Sequence, residues 1–158
     1  MRLLSWGSYD IDNFGDKLFP MIINHFLGEE FEEIVHISPT ASSSIWSDSC
    51  ETSLISDVED LSEDTALIVG GGNLISFARN SSGPYSLDRN LANLVNPSFF
   101  ILPYLLCRYY RIPYAFNRIG IARPFKLEHR ETIKAVFDKA THISCRETRG
   151  KEQMLLAG

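Results

Sequence analysis

The sequence predicts an α/β fold in which a doubly wound, mostly parallel sheet carries helices on both faces. The first observation behind this prediction is that strand-like segments alternate with helix-like segments along the chain, a pattern typical of parallel sheets. The second is the run 66–69, which is apolar without a polar break and ends at three glycines. Such a run is typical of a strand buried on both faces. At 158 residues, the chain is predicted to form one domain, residues 1–158.

The N-terminal part is predicted to form a strand, a helix and a second strand. We place the N-cap of the helix at Asp16, with Gly15 supplying the positive φ that such a position often needs. Gly28 is the expected C-cap. The predicted segments are residues 3–6 for the first strand, 17–27 for the helix and 31–37 for the second strand.

The rest of the chain continues the alternation. Residues 38–64, rich in Ser, Asp and Glu, are expected to form a surface connection with one or two short helical turns. A second long polar connection is predicted over residues 76–96, and a connection of that length is usually functional or disordered. The other predicted segments are strands at 66–69, 114–121 and 142–145, and helices at 97–111, 126–140 and 148–156, with Gly158 as the last helix's cap.

Composition excludes several classes of protein. The formal net charge is −5, which does not favour a nucleic-acid partner. The cysteines Cys50, Cys107 and Cys145 are far apart in the sequence, which argues against a disulfide framework and a zinc site and favours a reduced, cytoplasmic protein. The most apolar segment, residues 99–107, is too short to span a bilayer, so we expect a buried or partner-facing helix and no transmembrane segment.

The glycines after the third predicted strand are the first candidate site. Ligands of open α/β sheets bind beyond the carboxyl ends of the strands, and glycine lets a ligand approach the backbone closely. We therefore expect Gly70, Gly71, Gly72 and Asn73 to form one wall of a site. The alternative is a tight exit from the strand without a ligand. The run matches neither the dinucleotide fingerprint nor the P-loop pattern.

Charged residues near strand and helix ends are the other candidates. The segment 13–16 lies between the first strand and its helix. There Asp16 could accept a proton from a sugar hydroxyl, or it could serve only as a cap. Arg146 and Glu147 follow the last strand, and Arg118 lies near the end of the fourth. An arginine there could bind phosphate or carboxylate through two hydrogen bonds, or form only a surface ion pair.

Three segments together resemble the polysaccharide pyruvyl transferase family. Residues 13–18, NFGDKL, are similar to its N-x-G-D loop after the first strand. Residues 67–75, LIVGGGNLI, resemble its strand ending in a glycine run. Residues 143–147, ISCRE, followed by 155–158, resemble its segment of strand, Arg, acidic residue, helix and Gly. The three occur in the family's order over nearly the whole chain.

The resemblance implies a fold and an activity. Family members resemble GT-B glycosyltransferases, with two Rossmann-like domains facing a cleft, and this chain corresponds to the first domain. The implied reaction transfers pyruvate from phosphoenolpyruvate to sugar hydroxyls as a ketal, in exopolysaccharide or capsule synthesis. No cofactor or metal is implied. This domain would form the acceptor side, with Asp16 catalytic and with Asn13, Gly15, Gly70, Gly71, Gly72, Asn73, Arg118, Arg146 and Glu147 binding substrate.

The implied partners are a saccharide or lipid-linked saccharide acceptor and either a further C-terminal domain or a second copy of the chain. The implied location is the cytoplasm, with the inner face of the membrane as one site within it. Two alternatives stay open. One is a non-catalytic truncated remnant or interaction module of the same fold, which is favoured by Gly150 standing where the family usually carries Ser or Thr; the transferase itself is expected to be active only when joined to its second domain, and this chain to be inactive alone. The other is a nucleotide-sugar-binding domain similar to a glycosyltransferase.

Overall fold

A computed structural model describes residues 1–11, 13–39, 49–77, 91–121 and 123–157, with the side chains of 91–95 and 157 left aside. Within these ranges the chain forms five strands and four α-helices, with single 3₁₀ turns at Ile55–Asp57 and Leu127–His129. The elements are β1 (Arg2–Trp6), α1 (Phe14–Leu27), β2 (Glu33–Ile37), β3 (Thr65–Gly70), α2 (Leu91–Tyr110), β4 (Tyr114–Ile119), α3 (Arg130–Phe137), β5 (His142–Cys145) and α4 (Thr148–Ala157).

The five strands form one sheet in the order β2-β1-β3-β4-β5, and every pair of neighbours is parallel. The predicted α/β class with a parallel sheet is therefore confirmed. From β1 the chain crosses to β2 on one side and later returns to β3 on the other side. The order of the strands thus reverses between β1 and β3, and such a switch point leaves a crevice beyond the carboxyl ends of both strands.

Alternate residues of the strands serve two separate cores, one on each face of the sheet. Leu3 packs on one face with Phe19 and Ile23 of α1. Leu4 packs on the other face, where α2 and α3 contribute most of the helical side chains. Because successive strand residues point to opposite faces, a strand covered on both faces must be apolar throughout. This explains the unbroken apolar run in β3.

The start of α1 differs from the prediction. Asn13 is the N-cap, and its side-chain oxygen accepts a hydrogen bond from the Gly15 backbone N–H at 2.9 Å. Asp16 lies inside the first turn and is buried, so its prediction as the cap is wrong. Gly15 is helical and is not among the residues of positive φ. Asn and Asp are both good caps, and the sequence offers them three residues apart. Gly28 is the C-cap, as predicted, and its N–H donates to the Asn24 carbonyl.

Other boundaries also move. The helix predicted from residue 97 begins at Leu91, and both Pro97 and Pro103 lie in its interior. Proline is favoured at a helix start, but it also occurs further in when tertiary packing compensates. The predicted helix 126–140 is a 3₁₀ turn followed by the shorter α3. β2 begins two residues later than predicted, and β4 ends at Ile119. Parts of the two predicted connections, 40–48 and 78–90, and Gly158 lie outside the described residues.

Helix α2 contains the apolar segment 99–107. Its residues Phe99, Phe100 and Cys107 are buried against the sheet. This agrees with the first of the two expectations, a buried or a partner-facing helix. No helix among the residues that the structure describes combines the length and apolar character that a bilayer crossing requires.

His36 in β2 makes the fold sensitive to acid. Its Nε2 lies 2.9 Å from the Asn24 side-chain oxygen, and burial lowers the pKa of His36 from 6.5 to about 4. The unfolded chain therefore binds a proton that the folded chain does not between those pH values. We expect the free energy of unfolding to fall by up to about 3 kcal/mol as pH drops from 6.5 to 4.

Urea unfolding at pH 7 and pH 4.5 measures this effect. In His36→Leu the part of the pH dependence of the unfolding free energy that His36 contributes should disappear. The matched control is His142→Leu, at an exposed strand residue. An equal pH dependence in wild type and His36→Leu would contradict the assignment.

Candidate functional site at the strand-order switch

The loops that follow β1, β3 and β5, together with the end of β4, border one cleft of about 700 Å³. It lies at the switch point between β1 and β3, where ligands of open α/β sheets bind. The structure brings most of the residues predicted from the sequence together here. Those that line the cleft are Asn13, Gly15, Asp16, Gly71, Gly72, Asn73, Arg118 and Arg146.

The three glycines have different positions. Gly71 and Gly72 have φ of 80° and 63°, a region that side chains rarely adopt, and both line the cleft. Gly70 ends β3 beneath them and does not line it. A Cβ on Gly70 would lie 2.7 Å from Cε1 of Phe19 and 2.8 Å from the Asn117 carbonyl oxygen. Gly70 therefore lets α1 pack closely on the sheet under the cleft.

The Asp16 carboxyl group lies against Gly72 in the wall of the cleft. A Cβ on Gly72 would be 2.6 Å from Oδ1 of Asp16, so only glycine leaves room for the carboxyl group there. Burial raises the pKa of Asp16, and nearby Asp10 raises it further, while a hydrogen bond from the Ser8 hydroxyl and the positive charge of Arg146 lower it. Burial is the largest of these effects, so the carboxyl group holds a proton to a higher pH than an ordinary aspartate.

Ser8 lies in the loop between β1 and α1 and was not predicted as a site residue. The loop is held by hydrogen bonds on either side of Ser8. The Tyr9 backbone N–H donates to the Ser38 hydroxyl at 3.1 Å, and that hydroxyl donates to the Gly7 carbonyl at 3.2 Å. The Tyr9 ring is buried and stacks on Phe19 of α1. Ser8 is thereby fixed beside Asp16, a contact between separate elements that no local sequence pattern signals.

Two arginines supply positive charge to the cleft. Arg118 lies in β4 and Arg146 directly follows β5, and both side chains are exposed where they line it. The Arg146 backbone N–H donates to the Ile119 carbonyl at 3.1 Å, which fixes the start of its loop. Two guanidinium groups that line one cleft can hold an anion such as carboxylate or phosphate.

Gly120, a second residue that was not predicted, makes room for this arrangement. A Cβ there would collide with Oδ1 of Asn73 and would lie 3.0 Å from Cδ of Arg146. Its N–H donates to the Gly72 carbonyl at 2.9 Å, and its carbonyl accepts from the Ile75 N–H at 3.2 Å. Gly120 therefore joins the loops after β3 and β4. A glycine near the end of the predicted strand 114–121 was the available signal.

Glu147 does not line the cleft. It borders a neighbouring groove beside β5, together with Cys145, Lys151 and Met154. Arg146 borders both this groove and the cleft, so only the arginine of the predicted pair contributes to the cleft at the switch point. Among the residues that the structure describes, no cluster of three or more His, Cys, Asp or Glu side chains could hold a metal ion.

Comparison with known proteins adds the family. No curated protein and no solved structure gave a significant match. The family model described as polysaccharide pyruvyl transferase matches residues 13–158, a range that contains α1, the glycine loop and both arginines of the cleft. The resemblance found in the sequence is confirmed, and the chain belongs to the polysaccharide pyruvyl transferase family.

Proposed function

We propose that this chain contributes the acceptor side of a pyruvyl transferase, which moves pyruvate from phosphoenolpyruvate to a saccharide as a cyclic ketal. The observation that carries the proposal is a cleft at the switch point of a family member that Asp16 lines together with Arg118 and Arg146. The acceptor would be a saccharide or lipid-linked saccharide of exopolysaccharide or capsule synthesis. The reaction would take place in the cytoplasm, including the inner face of the membrane.

The chemistry sets three requirements. An acid protonates the methylene carbon of the enolpyruvyl group and leaves a cationic centre beside the carboxylate. Two sugar hydroxyls attack the cationic carbon, not the methylene carbon, and lose their protons, and the bond between that cationic carbon and the phosphate oxygen breaks, so that inorganic phosphate leaves. Groups that accept and donate protons, and cations that hold the carboxylate and phosphate, must therefore surround the reacting carbon.

Asp16 suits the proton-transfer role. A general base is most effective when its pKa lies near the working pH, and burial moves the pKa of Asp16 upward from that of an ordinary aspartate. The Ser8 hydroxyl and Arg146 stabilise the ionised form, which keeps the carboxylate available to accept a proton. We assign Asp16 as the base for an attacking hydroxyl.

The remaining groups suit binding. Arg118 and Arg146 would hold the carboxylate or phosphate of the donor through paired hydrogen bonds. The side-chain amides of Asn13 and Asn73 can donate to and accept from sugar hydroxyls, and the backbone at Gly71 and Gly72 allows a substrate to approach closely. A further domain or a second copy of the chain would close the cleft and exclude water.

The cleft also has features that favour a nucleotide sugar as an alternative ligand. Gly71 and Gly72 at a switch point, with arginines opposite, could accommodate a pyrophosphate. This second function would make the chain a glycosyltransferase-like binding domain. Asp16 would then bind sugar hydroxyls without transferring a proton from them.

Calorimetric titration distinguishes the candidates. The chain is titrated with phosphoenolpyruvate, with a panel of methyl hexosides and with a panel of nucleoside diphosphate hexoses. The proposal predicts binding of a hexoside and weaker binding of phosphoenolpyruvate. Tighter binding of a nucleoside diphosphate hexose would favour the alternative. A chain that is folded by circular dichroism and binds none of them would contradict both and leave an interaction module.

A further inference from the structure

The pairing of β4 with β5 contains one irregularity, and it falls at the cleft. Phe116 pairs with Ile143, and Ile119 pairs with Cys145. Two residues of β4, Asn117 and Arg118, therefore face the single residue Ser144 of β5. This two-to-one arrangement is a β-bulge, which bends a strand and redirects its side chains.

The bulge decides which β4 residue enters the core. With regular alternation, residue 118 would point to the same face as Phe116, and Phe116 is fully buried in the core under α2 and α3. The extra residue shifts the alternation by one position. Ile119 enters that core and is fully buried, while Arg118 is exposed and lines the cleft. Without the bulge, the guanidinium group would be directed toward an apolar interior.

The bulge stores backbone strain at Arg118. Its φ is 49°, in the left-handed region that is unfavourable for a residue with a side chain. Such a conformation persists only where the surroundings hold it. Packing of Ile119 in the core is one such restraint, and the hydrogen bonds of Ser144 are the other.

One hydroxyl group serves both bulge residues. Oγ of Ser144 accepts a hydrogen bond from the Arg118 backbone N–H at 2.9 Å and donates to Oδ1 of Asn117 at 3.2 Å. A hydroxyl can accept and donate at once, whereas alanine can do neither. The strand opposite the bulge thus supplies the partner that the displaced backbone N–H requires.

We propose that Ser144 is a positioning residue that holds the β4 bulge and thereby directs Arg118 into the cleft to bind the anionic donor. The binding role of Arg118 rests on the proposed function. The positioning role rests on the bulge geometry alone. The residue acts through Arg118 and need not touch the substrate.

The test compares four single variants, and the double variant Ser144→Ala/Arg118→Gln, with the wild-type chain. Ser144→Ala removes the hydroxyl and Ser144→Thr retains it. Arg118→Gln removes the charge. Thr141→Val is the matched control, because the Thr141 hydroxyl also donates to the β4 backbone, to the Tyr114 carbonyl at 2.9 Å, but at the opposite end of the strand.

Two readouts are recorded. The first needs no ligand: amide exchange at Arg118 and the methyl resonances of Ile119 in nuclear magnetic resonance spectra. We expect Ser144→Ala to accelerate exchange at Arg118 and to shift the Ile119 methyls, Ser144→Thr to restore both, and Thr141→Val to change neither. Unchanged exchange and unchanged methyl shifts in Ser144→Ala would overturn the positioning role.

The second readout is the dissociation constant for phosphoenolpyruvate. Ser144→Ala should weaken binding about tenfold, and in the Arg118→Gln background it should weaken it no further. Equal weakening with and without Arg118 would overturn the proposal, as would unchanged affinity in Ser144→Ala alone. If wild type and Arg118→Gln bind the donor equally, the donor role of Arg118 fails, while the first readout still decides whether Ser144 holds the bulge.

Discussion

Replacing Asp16 with asparagine should leave the chain folded and weaken its binding of a hexoside acceptor by about 10- to 100-fold, since hydrogen bonds to a charged group contribute roughly 1.5–3 kcal/mol. In the transfer reaction the same change should lower the rate by about 10²–10⁴-fold, because the amide cannot accept the hydroxyl proton. Calorimetric titration with the hexoside and phosphate release from phosphoenolpyruvate measure the two effects.

The stability of this variant should move in the opposite direction. Burial raises the pKa of Asp16, so the folded chain keeps a proton that the unfolded chain releases, and the aspartate costs stability as pH rises through that range. Asp16→Asn should therefore unfold at the same or a higher temperature than wild type at neutral pH. The exposed Asp64 provides the control Asp64→Asn, expected to change neither binding nor rate. A full rate and full hexoside affinity in Asp16→Asn would contradict the assigned role.

Gly70→Ala should give a large loss of stability. The added Cβ would lie 2.7 Å from Cε1 of Phe19 and 2.8 Å from the Asn117 carbonyl oxygen. To relieve the first contact, the Phe19 ring or α1 must move away from the sheet. The second contact is with backbone, so β3 and β4 must separate to relieve it. Overpacking of this kind costs about 1–3 kcal/mol, which should lower the thermal unfolding midpoint measured by circular dichroism.

Gly15→Ala is the matched control for that measurement. Gly15 lies in the first turn of α1, and a Cβ there would have only Oδ1 of Asn13 nearby, at 3.5 Å. Because alanine is the better helix former, this variant should be as stable as wild type or more stable. Equal midpoints for Gly70→Ala and Gly15→Ala would show that the packing of α1 over Gly70 is not as tight as described.

The parallel sheet, and the site beyond the carboxyl ends of its strands, could be predicted because they depend on local patterns, whereas the strand order and its switch point were not predicted. The alternation of segments fixed the α/β class, and the unbroken apolar run before Gly70 identified the central strand. The family resemblance singled out residues 13–18, 67–75 and 143–147, which contain loops that follow strands. Because the carboxyl ends of parallel strands meet at one edge of a sheet, these loops could be expected to lie close together. Because most of the predicted site residues lie at this edge, most of them line the cleft.

The rest depends on contacts between elements that are distant in sequence. Three adjacent glycines look alike, yet a Cβ would press most tightly on Phe19 at Gly70 and would meet Asp16 at Gly72, and only Gly71 and Gly72 have positive φ and line the cleft. Asn13 and Asp16 are both possible caps, and the burial of Asp16 decides between them. The exposure of Arg118 depends on Ser144 in another strand, and its only sequence signal was the spacing of three between the apolar residues Phe116 and Ile119.

The measurement that tests the central claim most directly is an amide-shift titration of the labelled chain with a hexoside and then with phosphoenolpyruvate. If the cleft at the switch point binds these substrates, the largest shifts should occur at Ser8, Asp16, Gly72, Asn73 and Arg146, and Asp16→Asn should remove the hexoside-dependent ones. Shifts confined to the groove beside β5, or saturable binding with no shift at these five residues, would contradict the account.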